Sequence, residues 1–85
     1  MAIVSQQITV GTTIVLLAQG GDDGSSVSIT NKGTASMYVG GADVSTSTGY
    51  EVVAGSALGA DLNAGEKLYG VAAANQLVHI LQSGV

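Results

Sequence analysis

The sequence predicts an all-β chain: one small domain, a β-sandwich or barrel of about seven to eight short, mainly antiparallel strands over residues 1–85. Two observations carry this. Apolar and polar residues alternate with a period of two, most cleanly in Ser25-Ser26-Val27-Ser28-Ile29-Thr30. Val27 and Ile29 then point one way and the hydroxyl side chains the other, as in a half-buried strand. The second observation is punctuation: thirteen glycines and no proline cut the chain into short segments at fairly even intervals. Short strands between regular turn signals are the mark of a sandwich or a closed barrel.

Taken in order, residues 6–10 and 13–19 form strands on either side of Gly11. Residues 25–31 and 36–40 are joined by a tight turn around Lys32-Gly33. After a polar loop, residues 50–53 and 57–62 flank Ala54-Gly55-Ser56, and residues 67–72 and 76–82 complete the set. Helix competes over 57–64 and 71–81, where alanine is frequent. Gly59, Gly65 and Gly70, in or beside these segments, would each cost about 1 kcal/mol inside a helix. Neither segment has a persuasive cap, so strand prevails. The last strand, Gln76-Leu77-Val78-His79-Ile80-Leu81-Gln82, is apolar on both faces. Such a strand is central in its sheet or covered by a neighbouring subunit.

A domain of this size buries only about 60–65% of the surface its unfolded chain exposes, and small folds commonly need a staple. There is no cysteine, so disulfides are excluded. Metal ligands are scarce, which leaves oligomerisation. Only 9% of the residues are charged, against about 25% in an ordinary globular domain. The six acids, Asp22, Asp23, Asp43, Glu51, Asp61 and Glu66, face only Lys32 and Lys67. A surface of Ser, Thr, Asn and Gln suits close contact with neighbours, because burying a hydroxyl costs far less than burying an unpaired charge. With no basic patch, neither nucleic acid nor an anionic membrane is an expected partner. Mean hydropathy is positive at +0.44, yet the longest apolar run, residues 14–18, is far short of a membrane span. Residues 1–7 lack the charged and apolar regions of a signal peptide. The expectation is a soluble protein.

Catalysis finds little support. Nucleophilic chemistry needs a nucleophile, a positioned base and an orienting acid, and the sole histidine, His79, lies in the most apolar strand. It reads as a core or interface residue, and no catalytic set is assigned. Asp22 and Asp23 stand side by side between glycines, where a hairpin turn explains both residue types. The alternative is weak Ca²⁺ binding shared across a subunit axis; the spacing of a calcium loop is absent. No phosphate-cradling glycine motif occurs, and no metal or cofactor is expected. Tyr38, Tyr50 and Tyr69 are the only aromatics, too few for a sugar-stacking face and better suited to core edges or interface anchoring. The expected interface set is Ile3, Gln6 and Gln7 in an extended N-terminal arm over residues 1–7, Leu77, His79 and Leu81 on one face of the last strand, and Tyr38 and Tyr50. An extended arm can add a strand to a neighbour's sheet edge. The polar loop over 43–49 is the remaining candidate for a contact.

The succession Ser28-Ile29-Thr30-Asn31, Gly33-Thr34-Ala35, Tyr38-Val39-Gly40-Gly41, Val44 and Thr46-Ser47-Thr48-Gly49-Tyr50 resembles small virion proteins of tailed bacteriophages. So does its continuation through Val53-Ala54-Gly55, Gly65-Glu66 and Leu68-Tyr69-Gly70-Val71-Ala72. The likeness covers about two thirds of the chain and rests on small residues and turns rather than on a catalytic motif. It implies a non-enzymatic structural protein of the virion: a symmetric homo-oligomer, trimers being favoured, that decorates and stabilises the capsid surface. Its partners would be further copies of itself and the major capsid protein of the head, and it would be made in the host cytoplasm. The alternative is a receptor- or carbohydrate-binding module of a phage tail or head fibre.

Overall fold

The computed structural model describes residues 3–84. Eight strands follow in order: β1 Ile3–Val10, β2 Val15–Gln19, β3 Ser25–Asn31, β4 Met37–Gly40, β5 Tyr50–Val52, β6 Ala57–Leu62, β7 Lys67–Ala72 and β8 Gln76–Ser83. They form two antiparallel four-stranded sheets. Sheet A has the order β1-β8-β3-β6 and sheet B the order β2-β7-β4-β5. The expected all-β fold is therefore a sandwich, with strand where alanine had favoured helix.

Alternation decides which side chains meet between the sheets. On β3, Val27 and Ile29 are buried while Ser26 and Ser28 are exposed. On β8, Val78 and Ile80 turn inward, and Leu77 and Leu81 stay exposed on the other face. Val10, Leu17, Ala18, Met37, Val39, Val52, Leu62 and Ala72 complete the core with them. At about 25 cal/mol per Å² of apolar surface removed from water, each large side chain buried here contributes roughly 1.5–3 kcal/mol. Ile29, fully enclosed, shows the sensitivity: Ile29→Val should lower unfolding free energy by about 1 kcal/mol, read as a shift in urea midpoint at unchanged slope.

The double-faced last strand lies inside its sheet, between β1 and β3. Its eight residues draw β1 out to the same length, in an unbroken register from Ile3 opposite Ser83 to Val10 opposite Gln76. The first strand consequently begins at Ile3 and not at Gln6. Residues 3–7 of the expected arm are here the first five residues of β1, paired with β8 of the same chain; Met1 and Ala2 lie outside the described residues. The second strand starts at Val15, two residues later than expected, because residues 11–14 carry the chain from sheet A to sheet B. A bulge between Leu16 and Ala18 then breaks its pairing with β7.

Buried side-chain nitrogens and oxygens all find partners among the described residues. Fully buried Asn31 ends β3. Its Nδ2 donates to the carbonyls of Ala35 (2.8 Å) and Val52 (2.9 Å), and its Oδ1 accepts from the Gly33 N–H at 2.9 Å. Gln76 accepts from the Ala35 N–H at 3.0 Å and donates to the Ala74 carbonyl at 3.1 Å. Gln82 donates to the Gln19 carbonyl at 2.6 Å and so ties sheet A to sheet B. These contacts stitch the loops over the open ends of the sandwich, and they leave the outer faces of the sheets to be considered.

Candidate interaction surface

The outer face of sheet A is built on β8. Leu77, His79 and Leu81 stand in a row on it, with Leu77 41% and Leu81 51% exposed. Opposite them on β1 are Thr9, Gln7 and Ser5. On the other side His79 faces Thr30 of β3 and Leu81 faces Ser28. Beyond these, β6 presents Ala57, Gly59 and Asp61. Ile3, 73% exposed, lies at the end of β1 on the same face as Leu81. The result is a face of small hydroxyls around two leucines. Its single carboxylate, on Asp61, is already occupied at 2.9 Å by the Ser26 hydroxyl.

This placement sorts the expected interface residues. Ile3, Gln7, Leu77, His79 and Leu81 share the outer face of sheet A. Gln6 does not: it is opposite Ile80, so it lies on the core side of β1, yet it remains exposed. Tyr38 and Tyr50 belong to sheet B, on β4 and β5. Tyr38 is half-buried between Glu51 and Val71, and Tyr50 is 66% exposed at the sheet edge. A cleft of about 240 Å³ beside it, lined among others by Val53 and Leu58, opens between the edges of the two sheets.

Val4, Leu16 and Val53 are exposed apolar residues that sequence reasoning did not single out. Each looks like an ordinary strand residue by pattern. Only the position of its strand at a sheet margin, or of its loop beside one, leaves it in solvent.

The polar loop after β4 spends its hydrogen bonds on itself. Ser45 Oγ and Thr48 Oγ1 are 2.9 Å apart, the Gly49 N–H donates to the Ser45 carbonyl at 2.8 Å, and Val44 is buried beneath. Asp22 and Asp23 sit in the β2–β3 turn, where the Gly24 N–H closes onto the Gly21 carbonyl at 2.9 Å and Gly24 takes φ 87°. Asp23 borders an open depression with Ser26 and Asp61, while Asp22 does not. Among the described residues no three His, Cys, Asp or Glu side chains gather as metal ligands would, and no helix is long and apolar enough to cross a membrane.

No protein-family model matches this sequence, and no curated protein does. A solved structure does share the fold. The chain superimposes with a TM-score of 0.57 on one described as "Bacillus endospore appendages form a novel family of disulfide-linked pili", at 13% identity, covering 95% of this chain and 83% of that one. The disulfide linkage named for those pili has no chemical counterpart here, since this chain contains no cysteine. What the two proteins share is the sandwich.

Proposed function

We propose that this protein is a non-enzymatic structural subunit that self-associates into a symmetric oligomer, and that its role is to decorate and stabilise the head of a tailed bacteriophage. The observation that carries the reading is the outer face of sheet A, where Leu77, Leu81 and Ile3 stand exposed among side chains of which Asp61 alone is charged. A nearly neutral face with apolar anchors can be buried against a neighbour at little desolvation cost. Leu77, His79, Leu81 and Gln7 form the contact in this reading, with Ile3 at its end. Gln6, Tyr38 and Tyr50 serve a second contact at the sheet edges. The sequence likeness to small virion proteins supplies the particle, the major capsid protein as partner and the capsid surface as location. The structural likeness to a pilus protein is consistent with a sandwich serving as an assembly unit.

Light scattering after size exclusion tests self-association, with a closed oligomer expected and a trimer favoured by the sequence resemblance. Leu81→Lys should weaken that association, or binding to heads, by about tenfold or more, the scale of one buried leucine lost from a contact. Its thermal unfolding should stay near wild type. Co-sedimentation with heads lacking the protein tests the location. A wild-type chain that remains monomeric and leaves heads bare would overturn the reading.

A further inference from the structure

Sheet A ends in two strands, β1 and β6, each paired on one side only among the described residues. An unpaired row of N–H and C=O groups is a template for another strand. Proteins ordinarily blunt it with proline, lysine, a bulge or extreme shortness. β1 has none of these devices: its eight residues, IVSQQITV, carry no charge and keep an unbroken register with β8. β6 is six residues long, also without proline or lysine. Sheet B differs at both margins, because β2 is interrupted by its bulge and β5 has only three residues. The open edges are thus concentrated in one sheet. Val4 and Gln6 are exposed on the core side of β1, and β6 borders the cleft beside Tyr50 and Leu58.

We propose that β1 of one copy adds to the free edge of β6 in the next, extending sheet A head to tail. This rests on the reading of the chain as a self-associating subunit and adds an edge-to-edge seam beside the contact made by the outer face of sheet A. Direction agrees: the four strands alternate along the sheet, so β1 and β6 run antiparallel. A second copy in the same orientation therefore continues the alternation without inversion. Register agrees as well. Centring the two strands on each other keeps inner residues against inner and outer against outer. Val4, Gln6 and Ile8 then lie opposite Leu62, Ala60 and Leu58 of the next copy. On the outer face Ser5 meets Asp61, Gln7 meets Gly59 and Thr9 meets Ala57.

Each pairing is chemically sound. Apolar Val4 and Ile8 gain apolar partners, the Ser5 hydroxyl faces a carboxylate, and Gln7 meets a glycine, at which even an added Cβ would touch nothing within 4 Å. No like charges oppose each other, whereas joining two β6 edges would bring two Asp61 carboxylates to one seam. Joining two β1 edges would leave both β6 edges open. Head-to-tail contacts close into a ring or continue as a filament according to the rotation per step; the twist of the sheet, roughly 20–25° per strand, feeds into that rotation.

The absence of cysteine allows a direct test. Gln7→Cys and Gly59→Cys place one thiol on each edge, at positions that oppose each other in the proposed register and within reach of disulfide formation. Under mild oxidation, a mixture of the two variants should form covalent dimers several-fold faster than either variant alone. The double variant should give a ladder of higher species or a closed covalent ring. Ser28→Cys, on the outer face within the sheet, paired with Gln7→Cys provides the background rate. Gln7→Cys linking to itself as fast as the mixture would replace this seam with a two-fold one. Cross-linking no faster than background, with wild type oligomeric, would sink the seam and leave the structural reading standing. A wild-type monomer at every concentration, with cross-linking at background, would remove both.

Discussion

Gly20→Ala should destabilise the fold by about 3 kcal/mol, enough to consume much of the stability of a domain this small. Gly20 lies just past β2, where its N–H donates to the Glu66 carbonyl at 2.8 Å and its carbonyl accepts from the Gly65 N–H at 3.1 Å. The β2–β3 and β6–β7 turns are laced together at this point. A methyl group on Gly20 would be driven into the backbone carbonyl of Asn63. Backbone cannot swing aside as a flexible side chain can, so the substitution must spread the two turns and stretch both bonds. Urea titration followed by circular dichroism would measure this. A loss below about 0.5 kcal/mol, the usual range of a surface change, would mean that the turns are free to separate.

Asn31→Ala should cost about 4 kcal/mol. The side chain is inaccessible to solvent and makes three hydrogen bonds, to Ala35, Val52 and Gly33. Truncation leaves the Val52 carbonyl unpaired in the interior, a penalty of about 1–3 kcal/mol, and removes two part-buried bonds, to Ala35 and Gly33, worth about 1 kcal/mol net each. Asn31→Asp is a sharper comparison, because a carboxylate keeps the bond to the Gly33 N–H but cannot donate to either carbonyl when ionised. Both variants should unfold well below wild type in a thermal scan. Asn31→Ala matching the modest loss expected for Ile29→Val would show that water replaces the amide.

The fold was legible in the residues whose pattern is local. The boundaries of β3 follow from Val27 and Ile29 alternating with serines, and those of β6 and β7 from the glycine-bearing turns around them. The beginning of β1 was not, because Ile3, Val4 and Ser5 bury little of themselves. They are held by the length of β8, a strand from the other end of the sequence. Sheet membership was hidden for a related reason. Nothing near Tyr38 or Tyr50 says that β4 joins β7, with β5 beyond it, rather than β3, so an interface set chosen by residue type was divided between two sheets. The grouping of Leu77, His79 and Leu81 was readable, since period two alone puts them on one face. Whether that face looked inward or outward depended on the neighbours of β8. The role of Asn31 escaped notice because its buried partner, the Val52 carbonyl, meets it only once two sheets have formed.

The pairing of β1 with β8 along its full length also sets an order of events. β8 is the neighbour of both β1 and β3; β3 can pair with β6 before β8 is made, but β1 has no partner in its sheet until β8 follows. On the ribosome, β1 emerges well before β8 and stands without its partner while the residues between them are made. Such long-range closure places the chain among slow folders, on the millisecond-to-second scale typical of all-β domains. During that interval the same uncharged strand that can join a mature neighbour is open to any other nascent copy. Timing, as much as affinity, then decides whether that edge joins a finished neighbour or an unfinished one.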